Sequence, residues 1–211
     1  GDVVIMFTRE APTGAIRHWI HLVKLDKEGR VKWDKVTEIY LDYRPTVLEY
    51  ISNKLHISGL VSQDVKQVFY MSLDTSGSLI SYDSREAEYN EEITCMTMFN
   101  YWVILGGRHE FGIDEGPLFI SIDPGGNIRY FLFHSEVGSN RVEAIIANKD
   151  SVFAITETDI ITFNIPAARI TNVLTAESPA DAHFKNLAFG DNDGILVCGS
   201  VTDPGRFVQR P

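Results

Sequence analysis

The chain has 211 residues, of which 44% are hydrophobic, and its 19 Lys and Arg residues stand against 29 Asp and Glu residues, a formal net charge of −10. This composition excludes a disordered chain, because it can bury a sizeable apolar core. The acidic balance argues against nucleic acid as a partner, since nucleic-acid affinity depends mainly on Lys and Arg side chains that neutralise phosphates.

Cellular location is only weakly constrained by the sequence. No apolar stretch reaches the roughly 18 to 20 residues that a membrane span requires, so we expect no membrane insertion. Cys95 and Cys198 lie far apart in apolar runs, and we expect both to be free, buried thiols. Position 1 is Gly and not Met, which suggests a trimmed chain whose export signal, if any, has been removed. We favour a secreted, periplasmic or cell-surface location over a cytoplasmic one and leave the oligomeric state open.

A strand–turn–strand signature recurs along the chain. A strand ends in Leu or Ile followed by Asp, a Gly comes three residues after the Asp, and a second alternating strand follows with an aromatic residue. The copies are LVKLDKEGRVKW with Asp26 and Gly29, YMSLDTSGSLISY with Asp74 and Gly77, and FISIDPGGNIRY with Asp123 and Gly126. A degenerate fourth copy is IITFNIPAARI, in which Asn164 and Ala167 take the places of the Asp and the Gly.

The chemistry of this signature is that of a tight hairpin. An Asp at the first turn position accepts hydrogen bonds from backbone N–H groups further on, and the Gly supplies the positive φ that ends a type I turn with a bulge. We therefore interpret Asp26, Asp74 and Asp123 as turn-capping residues and not as ligands.

Two further strand-like runs precede each of the later hairpins, as TVLEYISN and LHISGLVS do in the second unit. Four antiparallel strands in about 40 to 48 residues make one blade of a β-propeller. The sequence therefore predicts an all-β chain and a single β-propeller domain over residues 1–211. Its repeat units span approximately residues 3–41, 42–88, 89–136, 137–178 and 179–211.

These repeat units do not add up to a whole number of four-stranded blades. The first unit lacks its innermost strand, and the last unit ends without an outer strand. Two alternatives follow: a five-bladed ring whose first and last segments complete each other, or an arc of a larger propeller. A ring would cover the sheet edges that an arc leaves unpaired.

The hairpin form [LI]-D-x-x-G-x-[VI]-x-[WY] resembles the hairpins between the outer strands of bacterial β-propeller repeats, including quinoprotein-type repeats. In a quinoprotein repeat the Gly stands four positions after the Asp and follows a Thr, whereas here it stands at three. The resemblance therefore implies no pyrroloquinoline cofactor. It implies the fold alone and carries over no functional residue, because propellers host unrelated activities.

Propeller ligands usually bind at the face formed by the connections between strands B and C of a blade and between one blade and the next. The first and third B–C connections, TREAPTGAIRH and RHEFGIDEG, are longer than a hairpin requires, which favours a functional role. These loops and the neighbouring crossings contain ten candidate ligand-binding residues: Arg9, Arg17, Tyr43, Arg44, Tyr89, Arg108, His109, Glu110, Asp114 and Glu115. Arg, carboxylate and aromatic side chains suit a small polar molecule, a glycan or a protein segment. The alternative interpretation is a solvated rim.

Motifs for catalysis or metal binding are missing from the sequence. His109 and Glu110 do not belong to a His-Glu-x-x-His zinc motif, because position 113 is Ile, and we interpret them as a surface pair. We expect no catalytic residues, no metal and no cofactor. Trp33 and Trp102 are expected to pack in the core between blades.

We therefore predict a non-catalytic propeller module that binds or scaffolds a protein or a small polar ligand through its loop face. The first alternative is a carbohydrate-active enzyme, which would need two carboxylates about 5 to 10 Å apart in a central funnel. The second alternative is a fragment of a larger propeller protein whose activity belongs to other blades or domains.

Overall fold

The computed structural model describes residues 1–10, 18–36, 42–62, 66–87, 90–111, 114–132, 141–164, 169–175, 182–190 and 194–201. This described part contains 17 β-strands and no helix. The strands form five sheets, and within each sheet the neighbours in space are also neighbours in the chain. This meander order is what four-stranded propeller blades require.

The first two sheets are antiparallel throughout. The first sheet contains β1 (Val3–Glu10), β2 (His18–Leu25) and β3 (Val31–Val36). The second sheet contains β4 (Asp42–Ile51), β5 (Lys54–Ser62), β6 (Lys66–Leu73) and β7 (Leu79–Glu86).

The remaining ten strands form two four-stranded sheets and one two-stranded sheet. The third sheet contains β8 (Glu92–Phe99), β9 (Trp102–Phe111), β10 (Asp114–Ile122) and β11 (Ile128–Leu132). The fourth contains β12 (Ala144–Ala147), β13 (Val152–Ile155), β14 (Asp159–Asn164) and β15 (Arg169–Thr175). The fifth contains β16 (Ala182–Phe189) and β17 (Ile195–Val201).

The three Asp–Gly turns have the predicted geometry. Gly29, Gly77 and Gly126 have φ angles of 81°, 80° and 88°. The Asp26 carboxylate accepts the backbone N–H groups of Glu28 and Arg30, both at 2.9 Å, and Asp74 and Asp123 hold their turns in the same way. The degenerate turn at 165–168 lies outside the described residues, but the strands on either side of it, β14 and β15, pair as expected.

Each sheet has two distinct ends. In the second sheet Asp42 at the start of β4 pairs with Ser62 at the end of β5, which pairs with Lys66 at the start of β6. We call this end the loop end, because strand B ends there and the first strand and strand C begin there. The opposite end, with the A–B and C–D turns, is the turn end.

Contacts divide the chain into two compact units. Unit 1 contains Gly1–Ile93 and Ile122–Arg129, and unit 2 contains Thr94–Ser121 and Tyr130–Pro211. The prediction of a single domain with the repeat boundaries given above stays a prediction.

Each unit has its own apolar core. Buried residues of the unit 1 core are Ile20, Leu22, Tyr43, Leu55, Ile57, Val61, Phe69, Met71 and Leu73, with Trp33 packed against them. Buried residues of the unit 2 core are Phe99, Ile104, Phe119, Val142, Ile145, Val152, Ala154, Ile161 and Phe163, with Trp102 packed against them. Both tryptophans thus contact a core, as predicted.

Candidate functional site

Polar side chains connect neighbouring sheets at the loop end of unit 1. His18 Nδ1 lies 2.6 Å from Asp42 Oδ1, and the backbone N–H of His18 donates to the same oxygen at 3.2 Å. One sheet further along, Lys66 Nζ donates to Asn90 Oδ1 at 2.5 Å. In both pairs a residue at the start of strand C contacts a residue at or before the first strand of the following sheet, so these side chains hold adjacent sheets together.

Unit 2 repeats this arrangement with its own residues. His183 Nδ1 in β16 contacts the carboxylate of Glu157, which lies in the connection between β13 and β14. The backbone N–H of Phe184 donates to the Glu157 carbonyl at 3.0 Å. The backbone N–H of Val142 donates to the Gly107 carbonyl at 3.0 Å. The loop-end backbone of each sheet is thereby fixed against the next sheet within the unit.

Two groups of charged side chains lie at the loop end of unit 2, and together we call them the loop-end cluster. It contains Arg108, Glu115, Arg141, Glu143 and Lys185. Arg108 Nη1 lies 3.9 Å from Glu115 Oε2, Arg141 Nε lies 3.8 Å from Glu143 Oε1, and Lys185 Nζ lies 3.4 Å from the same Glu143 oxygen. Glu143 therefore stands between a cation of its own segment and a cation of the fifth sheet.

Three elements bring the loop-end cluster together. Arg108 follows Gly107 in β9, and the Gly107–Val142 hydrogen bond sets this strand beside the segment that carries Arg141 and Glu143. The backbone N–H of Glu143 donates to the Ile155 carbonyl at 2.8 Å, which fixes that segment on the fourth sheet. Lys185 lies at a register shift of β16, where a bulge changes the direction of a side chain.

The charge of the loop-end cluster differs in sign from that of the whole chain. Three cations and two carboxylates give it a formal charge of +1, whereas the chain carries −10. The Glu143 side chain is 16% exposed and the other four are 34% to 54% exposed. Partly exposed ion pairs of this length contribute little to stability, so an incoming anion can exchange with them at low cost. The cluster can therefore hold a carboxylate or a set of hydroxyl groups.

The residues predicted in the third B–C loop lie in strands, so that prediction of a long loop was wrong. β9 extends to Phe111 and β10 begins at Asp114, which leaves residues 112 and 113 as the connection. Arg108 and Glu115 form the pair described above, and Glu110 is half-buried. The side chain of Asp114 lies outside the described residues.

The prediction that His109 and Glu110 form a surface pair was also wrong, because His109 is buried. Its residue surface is only 1% exposed. Gly116 in the neighbouring strand makes room for the ring, since a Cβ at position 116 would lie 2.7 Å from His109 Cε1. His109 therefore contributes to the packing of the β9–β10 hairpin.

Tyr43 and Arg44 were predicted in a connection between blades, but β4 already begins at Asp42. Tyr43 is fully buried and packs edge to face on Phe69, with ring centroids 5.0 Å apart. Burial strongly raises the pKa of the Tyr43 hydroxyl, so it stays neutral. Arg44 is exposed, and its Nη2 lies 3.5 Å from Asp42 Oδ2.

Of the other predicted residues, Arg9 is exposed in β1, and Arg17 and Tyr89 lie outside the described residues. The ten candidates predicted from the sequence did not include Arg141, Glu143 and Lys185. The available signal was the run Arg141-Val-Glu143 immediately before β12, the first strand of its sheet, since such positions lie at the loop end. Lys185 had no local signal, because it joins the cluster through a bulge within a strand.

The two cysteines are free, as predicted, but their surroundings differ. Cys198 is exposed, so the prediction that it is buried was wrong. Burial raises the pKa of the Cys95 thiol to about 12.

Among the described residues, no group of three or more His, Cys, Asp or Glu side chains could hold a metal ion. That same part of the chain has no helix long and apolar enough to cross a membrane.

No protein-family model matches the sequence, and no curated protein matches it either. Solved structures do share the fold. A protein of unknown function from Bacteroides caccae has a TM-score of 0.55 at 10% identity, over 90% of this chain and 69% of that one. An ACO/RPE65 chimera gives a TM-score of 0.55 at 11% identity, over 92% of this chain and 50% of that one. A gluconolactonase from Xanthomonas campestris gives 0.52 at 10% identity, over 92% and 69%.

These likenesses show the fold. The chain is an all-β protein of the β-propeller class, built on four-stranded antiparallel sheets, as the sequence predicted. It spans about two thirds of the Bacteroides and Xanthomonas proteins and half of the chimera. The structures of similar fold include enzymes.

Proposed function

We propose that this chain is a β-propeller binding module whose loop-end cluster in unit 2 takes a small polar ligand that carries an acidic group and hydroxyl groups. The observation that supports it is the position of Glu143 between Arg141 and Lys185, in a segment whose Val142 N–H donates to the carbonyl of Gly107, the residue before Arg108. Arg and Lys bind a carboxylate by charge-assisted hydrogen bonds, and the two Glu carboxylates accept hydrogen bonds from ligand hydroxyls.

The backbone around the cluster favours binding, because it is held before a ligand arrives. The hydrogen bonds from Val142 to Gly107 and from Glu143 to Ile155 fix the segment that presents two of the charged side chains. A preorganised site loses less conformational freedom on binding than a mobile loop. The ligand then orders only the ends of long side chains.

The test compares D-glucuronate with D-glucose, two sugars that differ in one carboxylate, by isothermal titration. We expect glucuronate to bind at least tenfold more tightly than glucose, and increasing salt to weaken its binding. The double variant Arg141→Gln/Lys185→Gln should lose most of this preference. The control Lys27→Gln/Lys54→Gln removes two exposed cations of unit 1 and should keep it. Equal binding of the two sugars, or an unchanged preference in the double variant, would contradict the proposal.

An enzyme is the second candidate, because one protein of similar fold is a gluconolactonase. Glu115, Glu143 and Glu157 are three carboxylates at the loop end of unit 2 that could activate water for such a reaction. The discriminating experiment follows proton release from glucono-δ-lactone. A non-catalytic module leaves the spontaneous rate unchanged. Acceleration that Glu143→Gln abolishes would instead favour the enzyme.

A further inference from the structure

Unit 1 contains a cavity of about 460 Å³ at its turn end. It lies where the start of β1 and the end of β2 meet the β4–β5 hairpin and the turn that follows β6. This volume falls in the range of small-molecule sites. The cavity belongs to unit 1, whereas the loop-end cluster belongs to unit 2, so the two sites have no residue in common.

The wall of this cavity has an apolar part and a charged part, the latter formed by Lys24 and its ion-pair partner Asp2. Val4, Leu48 and Leu55 supply aliphatic surface, and Tyr50 stands at the rim with 58% of its surface exposed. Lys24 supplies the positive charge, and its side chain is only 17% exposed. Aliphatic surface next to the Lys24 ammonium suits a ligand that has a hydrocarbon body and a single negative group.

Lys24 has weak partners for a cation this enclosed. Its Nζ lies 3.3 Å from Asp2 Oδ2 and 3.4 Å from the Thr75 carbonyl oxygen, both longer than the usual N–H···O distance of about 2.9 Å. Both acceptors also serve better-placed donors. Lys32 Nζ contacts the two Asp2 carboxylate oxygens at 2.8 and 2.9 Å, and Trp33 Nε1 donates to the Thr75 carbonyl at 3.0 Å. A partly buried ammonium with shared, long contacts gains from an additional anion.

We propose that this cavity binds a small amphipathic carboxylate, with the carboxylate on Lys24 and the hydrocarbon part against Val4, Leu48 and Leu55. Asp2 opposes this binding, because its own carboxylate lies beside the ligand's. The two neighbouring charges should therefore have opposite effects on ligand affinity. Removal of the Lys24 charge weakens binding, and removal of the Asp2 charge strengthens it.

The test is a titration of the chain with butanoate, hexanoate and octanoate, followed by NMR chemical shifts. Affinity should rise about fourfold for each methylene that the cavity buries, and octanol should bind at least tenfold more weakly than octanoate. Lys24→Met should weaken octanoate about tenfold or more, whereas Asp2→Asn should strengthen it. Lys27→Met, which removes a highly exposed cation outside the cavity, is the matched control and should change nothing.

Leu48→Phe provides a test that leaves every charge in place, because the larger ring fills part of the cavity. It should abolish octanoate binding while circular dichroism shows a folded chain. No octanoate binding at about 10 mM would overturn the proposal, as would equal binding of octanol or an unchanged affinity in a folded Lys24→Met variant. A negative result with octanoate would not bear on the proposed function of the loop-end cluster in unit 2, since glucuronate binding depends on other residues.

Discussion

Gly59 in β5 faces Arg44 in β4 so closely that a Cβ at position 59 would lie 2.3 Å from the Arg44 carbonyl oxygen. The register of the two strands shifts at this point, between Pro45 and Val47. The fifth sheet has the same feature, since a Cβ at Gly199 would lie 2.0 Å from the His183 carbonyl oxygen. A Gly opposite a bulge thus recurs in the first strand pair of two sheets.

Gly59→Ala should destabilise the chain by about 2 to 3 kcal/mol, because the new methyl group meets backbone atoms that cannot move aside. Gly29→Ala is the matched control, since position 29 has open space around it and its only cost is the φ of 81°. That cost should be about 1 to 2 kcal/mol. Urea unfolding of both variants measures the difference, and a Gly59→Ala variant no less stable than Gly29→Ala would contradict the close contact.

Acidification should lower the free energy of unfolding partly by protonating the turn aspartates. The hydroxyl of Ser76, followed by the backbone N–H of Ser78, holds the pKa of Asp74 below its usual value. A carboxyl with a lowered folded-state pKa stabilises the fold above its unfolded pKa, and this stabilisation is lost as the pH falls through the folded pKa. Asp74→Asn should therefore lose less stability than the parent chain between about pH 5 and pH 3. The free energy of unfolding in urea is measured against pH for both proteins. An equal loss of stability on acidification in the parent chain and in Asp74→Asn would contradict this role of Asp74.

His56 is a buried base whose contribution to stability, like that of Asp74, is lost on protonation. Burial lowers its pKa, Tyr70 lies 2.8 Å from Nδ1, and the Ile51 carbonyl lies 3.3 Å from Nε2. The neutral ring satisfies both contacts, with Nε2–H donating to Ile51 and Nδ1 accepting from Tyr70. The stabilisation by the neutral ring is complete above the unfolded pKa and is lost as the pH falls through the lowered folded pKa.

Tyr70→Phe should cost about 1 to 2 kcal/mol at neutral pH, because it leaves His56 Nδ1 buried without its donor. His56→Gln should flatten the fall in stability between about pH 7 and pH 5. Chemical unfolding across this pH range measures both effects. The account fails if the parent chain gains stability on acidification and His56→Gln removes that gain.

The two thiols should react at very different rates with a disulfide reagent. Cys198 is exposed, whereas burial raises the pKa of Cys95 to about 12, so little thiolate forms there at neutral pH. We expect one thiol to be labelled quickly under native conditions and the second only after unfolding. The fast phase should disappear in Cys198→Ser and persist in Cys95→Ser. Fast labelling of both thiols would be inconsistent with this packing.

The parts of the fold that local chemistry determines could be predicted from the sequence. The turns at Asp26, Asp74 and Asp123 were predictable because the capping carboxylate and the glycine lie within four residues of each other. The A–B turns were less visible, since they place non-glycine residues at positive φ, such as Asn53 at 62° and Tyr101 at 70°.

Features that depend on partners distant in sequence could not be predicted in the same way. The polar run at 108–116 has the composition of a loop, but pairing extends both strands through it, and Gly116 gives His109 a buried place. Tyr43 lies two residues before a proline, which is a residue typical of turns, yet a bulge accommodates Pro45 within the strand. Lys185 meets Glu143 only through packing of the fifth sheet on the fourth.

The most direct test of the binding proposal is a map of backbone NMR shifts in the parent chain during titration with D-glucuronate. We expect shifts that saturate and that concentrate at residues 107–108, 115, 141–143 and 183–185, with no comparable shifts when D-glucose replaces the acid. Saturating shifts that avoid these residues, or identical maps for the two sugars, would contradict the assignment of the loop-end cluster as the binding site.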